Sequence, residues 1–353
     1  MPTLTIPQTE NLCMQILTKA GISQKDAALL FDSMLIPSLR GHDSHGIRRV
    51  PIVADQTMKG AEAAEGEPVI IKESAATAAI DARWNPGPIV GMMSTKIAIE
   101  KAKKMGVSAV TVMRSMSMAA IGYFVEPIAQ ADMIGIMWSR VSIPSAPPYG
   151  GAGKVFGTHP FAYAVPTGSG RPILVDMSTT AIAAQAMAPL MASGLPLPPG
   201  LALDEDGMPT TDPARFGVGL NRVGTFASMG GGPKGYAMQL MVDLLSGPLS
   251  GMDWAEIPIA IRRTGNQSLT IAIDIAHFMD VGLFKSRLDD KLKTIKNSKR
   301  AKGFDEIFIP GERSFRTEAK RRAGGIPVSD RDWQTFEDIC KQLNIDVAEA
   351  IKA

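Results

Sequence analysis

Val107-Ser108-Ala109-Val110-Thr111-Val112-Met113 is a short β-rich run, and Ile134-Gly135-Ile136-Met137-Trp138-Ser139 is another; Gly122 to Met133 between them reads as helical, with Pro127 early in it. Strand, helix and strand at this spacing predict an α/β unit. Upstream, Ile89 to Lys104 follows as a helix from the loop Asn85-Pro86-Gly87-Pro88 and stops at Gly106, while Gly66 to Ala82 suits strands at a domain edge. Downstream, Phe161 to Val165 and Pro172 to Asp176 read as strands around the turn Gly168 to Gly170. Ala181 to Ser193 reads as a helix on the same sheet, kinked at Pro189. Pro196 to Pro213 is an ordered surface excursion, Ser268 to Asp274 a strand, and the basic Lys285 to Lys302 a solvated helix. Near the start, Ala27, Leu30, Met34 and Leu35 recur at helical spacing behind Ser23 as N-cap and Asp26. Pro37 should end or kink that helix.

Composition narrows the class. The 353 residues suggest two or three units at roughly 150 residues each, enough for a substantial core without disulfides. Cys13 and Cys340 match no metal-ligand spacing, which argues against a zinc or redox centre and for a reducing compartment, the cytoplasm. A net charge of +2 without a long basic run argues against a nucleic-acid binder. The uncharged stretch Met177 to Leu203 is broken by polar residues and prolines, so it is a poor membrane span, and Met1 to Gln8 lacks the pattern of a secretory signal. With 21 methionines against 6% aromatic residues, the core is filled by adaptable side chains or a pocket is shaped by them.

Three stretches could carry chemistry. Gly41-His42-Asp43-Ser44-His45-Gly46-Ile47-Arg48-Arg49 places imidazoles beside guanidinium groups, which suits a 2-oxo acid: histidine for the proton, arginine for the carboxylate. The same residues also suit a capped helix end. Gly230-Gly231-Gly232-Pro233-Lys234-Gly235 opens a helix and favours a phosphate or carboxylate, or is simply a turn. Its Gly-x-Gly-x-x-Gly string comes late in the chain with no convincing strand before it, so a Rossmann domain is poorly supported. Val175-Asp176-Met177-Ser178-Thr179-Thr180 ends a strand in short hydroxyls that could bond ribose or phosphate, or cap the next helix.

Taken in order, Ser44-His45-Gly46 with Arg49, Gly157-Thr158-His159-Pro160, Asp176-Met177-Ser178-Thr179-Thr180, Leu203-Asp204 through Gly207, Pro209-Thr210-Thr211-Asp212-Pro213, Lys234-Gly235-Tyr236 and Pro310-Gly311-Glu312 cover nearly the whole chain. In this arrangement the sequence resembles the type 2 malate/lactate dehydrogenase family, which includes ureidoglycolate, sulfolactate and diketogulonate enzymes and cyclic imino acid reductases. The resemblance implies a non-Rossmann α/β fold of the malate/L-sulfolactate dehydrogenase type. A helical domain from both termini, 1–75 plus 275–353, would hold an inserted nucleotide-binding α/β domain, 76–274. It further implies a homodimer or larger homo-oligomer that uses NAD or NADP on a small carboxylate. His45 would exchange the proton at the substrate oxygen, Arg49 would meet the carboxylate, and Ser44 and Asp204 would orient or polarise His45. Asp176, Met177, Ser178, Thr179, Thr180, Lys234, Gly311 and Glu312 would lie along the cofactor.

The departures from the family pattern matter equally. Ser117, between Met116 and Met118, stands where the family commonly has a second histidine, and serine supplies no proton near neutral pH without a partner base. Arg140 and His159 each replace a usual Asn in the expected cofactor cradle, and Gln185-Ala186 replaces a usual Gly-Lys. Arg140 could restore a cation there or favour a 2′-phosphate. The expected reaction is hydride transfer between NAD(P) and C2 of a 2-hydroxy or 2-oxo carboxylate, with Met116 and Met118 on the substrate side. The alternatives are a cyclic imino acid reductase, or a relative without hydride transfer that acts as a non-redox lyase or binding protein.

Overall fold

Seven strands form the main sheet: β1 (Val69–Glu73), β2 (Thr77–Asp81), β3 (Val107–Ser115), β4 (Met133–Val141), β5 (Phe161–Val165), β6 (Ile173–Met177) and β7 (Asn266–Asp274). Their order across the sheet is β1-β2-β3-β7-β4-β5-β6. This computed structural model describes residues 2–60, 64–217, 222–252 and 265–352. The strand–helix–strand expectation holds, with one difference. β7 is antiparallel to both β3 and β4, so those two run the same way but are separated by a strand from far along the chain. Ile271 of β7 sits opposite Ala109 on one side and Ile136 on the other.

Side-chain alternation fixes the layers. In β4, Gly135 faces helix Gly122–Gln130, since a Cβ there would meet Ile128, whereas Arg140, an odd number of residues away, bonds Asp243 of helix Pro233–Ser246. In β7, Thr270 bonds Ser94 of helix Gly87–Met105, while Gln267 on the opposite face bonds Arg140. The sheet is therefore covered on both faces. That explains why β7 is buried over most of its length.

The chain divides into two compact units: Met1–Glu65 with Val165–Leu174 and Met279–Ala353, and Gly66–Ala164 with Val175–Phe278. The first is helical. Thr5 and Gln8 form a reciprocal capping box for Ile6–Lys19, and Ser23 caps Gln24–Leu39 through the Asp26 N–H. Both chain ends share its core: Leu12, Ile16, Leu30 and Phe31 pack with Phe336, Ile339 and the buried thiols Cys13 and Cys340. Pro37 does not end its helix as expected. It lies in the last turn, where its missing donor removes only one bond, and the helix runs on to Leu39.

Two further expectations change in detail. The excursion Pro196–Pro213 contributes to a small three-stranded sheet, with Ala202–Leu203 between Pro209–Thr210 and Thr225–Phe226. Ala184–Ala192 is helical, and the side chains of Gln185 and Pro189 lie outside the described residues.

Candidate active site

In the first unit the chain leaves helix Gln24–Leu39 and folds back through two short 3-10 turns, Asp43–His45 and Ile47–Arg49. The Ile47 N–H donates to Ser38 Oγ at 2.9 Å, and any side chain at Gly46 would collide with that hydroxyl. Within this turn Ser44 Oγ lies 2.9 Å from His45 Nδ1. Burial lowers the His45 pKa, and the nearby Arg49, His42 and Arg48 lower it further, to about 4. The imidazole is therefore neutral at pH 7, in surroundings that attract an anion. The tautomer that donates Nδ1–H to Ser44 leaves Nε2 as a proton acceptor. In the same unit Gly311, at φ +97°, caps helix Glu312–Gly324. The Glu312 carboxylate accepts from Lys296 Nζ at 2.7 and 2.8 Å and from the Ile309 N–H at 3.1 Å. A cleft of about 620 Å³ is lined by Glu312 with Arg171, Lys293 and Phe315.

In the second unit three loops are stitched edge to edge. The Thr158 carbonyl accepts the Thr179 N–H at 3.0 Å and its hydroxyl at 3.1 Å, and the Thr179 carbonyl accepts the Met229 N–H at 2.8 Å. Ser178 and Thr180 donate their hydroxyls to the carbonyls of Thr180 and Ile182. Asp176 accepts the Gly122 N–H at 2.8 Å, so its carboxylate stands at the positive end of helix Gly122–Gln130, and Met177 is exposed. Gly230 and Gly231 adopt φ of +71° and +66°, and nothing lies within 4 Å of where their Cβ atoms would be. They leave an open approach to the N-terminus of Pro233–Ser246 with Lys234 exposed on it. An open, glycine-walled helix start with a cation fits a dinucleotide pyrophosphate.

Arg140 and His159 meet toward the other end of the same helix, at Asp243. Both bond the same atom, Asp243 Oδ1, Arg140 Nε at 2.7 Å and His159 Nε2 at 2.9 Å. Arg140 also donates to Gln267, and the Val141 N–H donates to His159 Nδ1 at 3.3 Å. Burial lowers the His159 pKa against the raising effect of Asp243, so the ring is neutral with its proton on Nε2. Burial raises the Asp243 carboxyl pKa, but His159 and Arg140 more than offset it and hold the group below its ordinary value. Asp243 carries no motif. Its signal in the sequence is a lone acid between Val242 and Leu244 on an otherwise apolar stretch.

Ser117 follows β3 in a loop whose carbonyl backs onto Gly87, where a Cβ would come within 2.2 Å of it. Met116 and Met118 are 2% and 1% exposed, and Met116 packs with Trp84 and Met252. They are core residues rather than the substrate-facing wall the sequence suggested. Asp204 is buried in its own turn, accepting the N–H groups of Asp206 and Met208 and pairing with Arg215 at 2.8 Å. Among the described residues no cluster of three potential metal ligands occurs, and no helix is long and apolar enough to cross a membrane.

Residues 4–337 match the malate/L-lactate dehydrogenase family. The chain belongs to that family. It is 33% identical to a malate dehydrogenase of Pyrococcus abyssi over 96% of this chain and 95% of that one. The solved sulfolactate dehydrogenase of Methanocaldococcus jannaschii superposes with a TM-score of 0.88 at 33% identity, covering 99% of each chain. The delta1-piperideine-2-carboxylate reductase of Pseudomonas syringae superposes with a TM-score of 0.83 at 26% identity, covering 96% of this chain and 100% of that one. The family fold accounts for the late glycine string: it follows a two-residue strand of the small sheet, not a strand of the main one.

Proposed function

We propose that this protein is an oxidoreductase that transfers a hydride between NAD(P) and C2 of a small 2-hydroxy or 2-oxo carboxylate. The observation that carries the reading is His45, held neutral against Ser44 in a turn flanked by Arg48 and Arg49. The names of the malate and sulfolactate dehydrogenase relatives support the substrate class. A bound nicotinamide ring would supply or accept the hydride. Lys234 and the backbone of Asp176 to Thr180 would hold the cofactor, while Arg140 and His159 brace the second unit's cradle. Arg49 anchors the substrate carboxylate by a paired contact, and His45 Nε2 takes the hydroxyl proton on oxidation and returns it on reduction. Ser44 orients His45, whereas the Asp204 carboxylate is taken up by its own turn and Arg215. Ser117 adds no second acid. A second reading, reduction of a cyclic imino acid, is favoured by the likeness to the piperideine-carboxylate reductase. The working form is a homodimer or larger homo-oligomer in a reducing compartment, which light scattering would test.

Titrating the protein with NADH and NADPH, then assaying a panel of 2-hydroxy, 2-oxo and cyclic imino acids, tests the proposal. Absence of nucleotide binding under every condition overturns it. Within this reading Lys234→Met weakens nucleotide binding by about tenfold or more, the loss of one hydrogen bond to a charged group, read as a fluorescence Kd.

The pH dependence follows from the His45 pKa of about 4. Oxidation needs the unprotonated ring, so kcat/KM for a hydroxy acid stays level through neutral pH and falls only as pH drops toward 4. Reduction of a 2-oxo acid needs the protonated ring, present in about one free molecule per thousand at pH 7. Its kcat/KM therefore rises about tenfold per unit of acidification toward that pKa. Matching pH profiles in the two directions would contradict the assignment.

A further inference from the structure

One face of helix Glu312–Gly324 meets the chain leading into the histidine turn residue by residue. Glu318, 3% exposed, bonds Arg40 at 3.0 Å. Thr317 lies against Gly41, where a Cβ would come within 3.2 Å of its methyl. Ser314 Oγ lies 3.1 Å from His42 Nε2. Arg321 grips the Asp43 carboxylate with both terminal nitrogens and also donates to the Ser38 carbonyl at the end of the preceding helix. Ser314, Thr317, Glu318 and Arg321 are spaced three, four and seven residues from the first, one stripe of a helix. That stripe holds Arg40 to Asp43, the four residues immediately before Ser44 and His45.

We propose that helix Glu312–Gly324 positions the proton-transfer turn, with Arg321 as the positioning residue that fixes Asp43 and so the Ser44–His45 hydrogen bond. The inference rests on the reading of His45 given above. Arg321 does not act by stabilising the fold. Its partner Asp43 is half exposed, and exposed ion pairs contribute little to stability. Its effect is geometric: a small displacement of a proton-transfer group costs rate without costing binding.

The test uses the full chain labelled with 15N-histidine, whose four histidines give a readable spectrum. In Arg321→Met the His45 Nδ1 resonance moves toward its unbonded position and kcat falls by about tenfold. The nicotinamide-nucleotide Kd and the unfolding midpoint stay close to the parent values. Arg321→Lys, which keeps the charge but loses the fork, recovers part of the rate. Ser314→Ala, which removes a single hydroxyl, carries the same measurement from the His42 side should Arg321→Met not fold. His45 ring signals identical in parent and variants overturn the proposal. The nitrogen spectra need no turnover, so signals that move in a protein without dehydrogenase activity would sink the functional reading alone.

Discussion

Replacing His45 by alanine lowers kcat/KM for the hydroxy acid by about 10²- to 10⁴-fold, the range that a positioned general base contributes. Nucleotide affinity changes little, because the residues proposed to hold the cofactor are others. The ring is only partly buried and bonds the adjacent Ser44, so the fold tolerates the change. His45→Asn separates two effects. It keeps polar contacts of similar size but cannot take a proton, so it should be as slow as alanine if proton transfer is the role. Recovery with asparagine would reduce His45 to a hydrogen-bonding residue, and unchanged turnover in both variants would remove it from the mechanism.

The sequence made the local parts of this molecule legible. Ser23 as a cap, Gly106 as a stop and the β-rich runs of β3 and β4 are written within a few residues of where they act. Strand pairing is not written that way. A period of two says which side chains share a face but not which strand lies alongside, so the insertion of β7 between β3 and β4 could not be read from either. The candidate site divides along the same line. Ser44-His45 and the Lys234 turn are compact signals. Asp43 and Arg321, by contrast, are 278 positions apart, and Arg140 and Asp243 are 103 apart, distances over which no spacing rule operates. Met116 and Met118 show the opposite error. Flanking an unusual serine made them look like pocket walls, while burial decides that they are packing.

Asp243→Ala should be the most destabilising single substitution in the second unit's polar network, by about 3–5 kcal/mol in chemical denaturation. The carboxylate is the shared acceptor of Arg140 and His159, and Arg140 is only 8% exposed, so its removal takes the counter-charge from a buried cation and the acceptor from a ring N–H together. Asp243→Asn costs less, since one oxygen remains as acceptor while the charge is lost. Pairing Asp243→Leu with Arg140→Leu recovers much of the loss, because replacing both partners of a buried ion pair removes the desolvation cost along with the attraction. A double variant no better than Asp243→Ala would mean that the carboxylate serves His159 rather than Arg140. The distinction reaches the cofactor site. His159 sits at φ +38°, a conformation that bulky residues rarely keep without outside support, and it adjoins Thr158, whose carbonyl anchors Thr179. His159 loses Asp243 in the double variant as well, so nucleotide binding stays weak there even where removing the Arg140 charge restores stability, and affinity and stability separate in one protein.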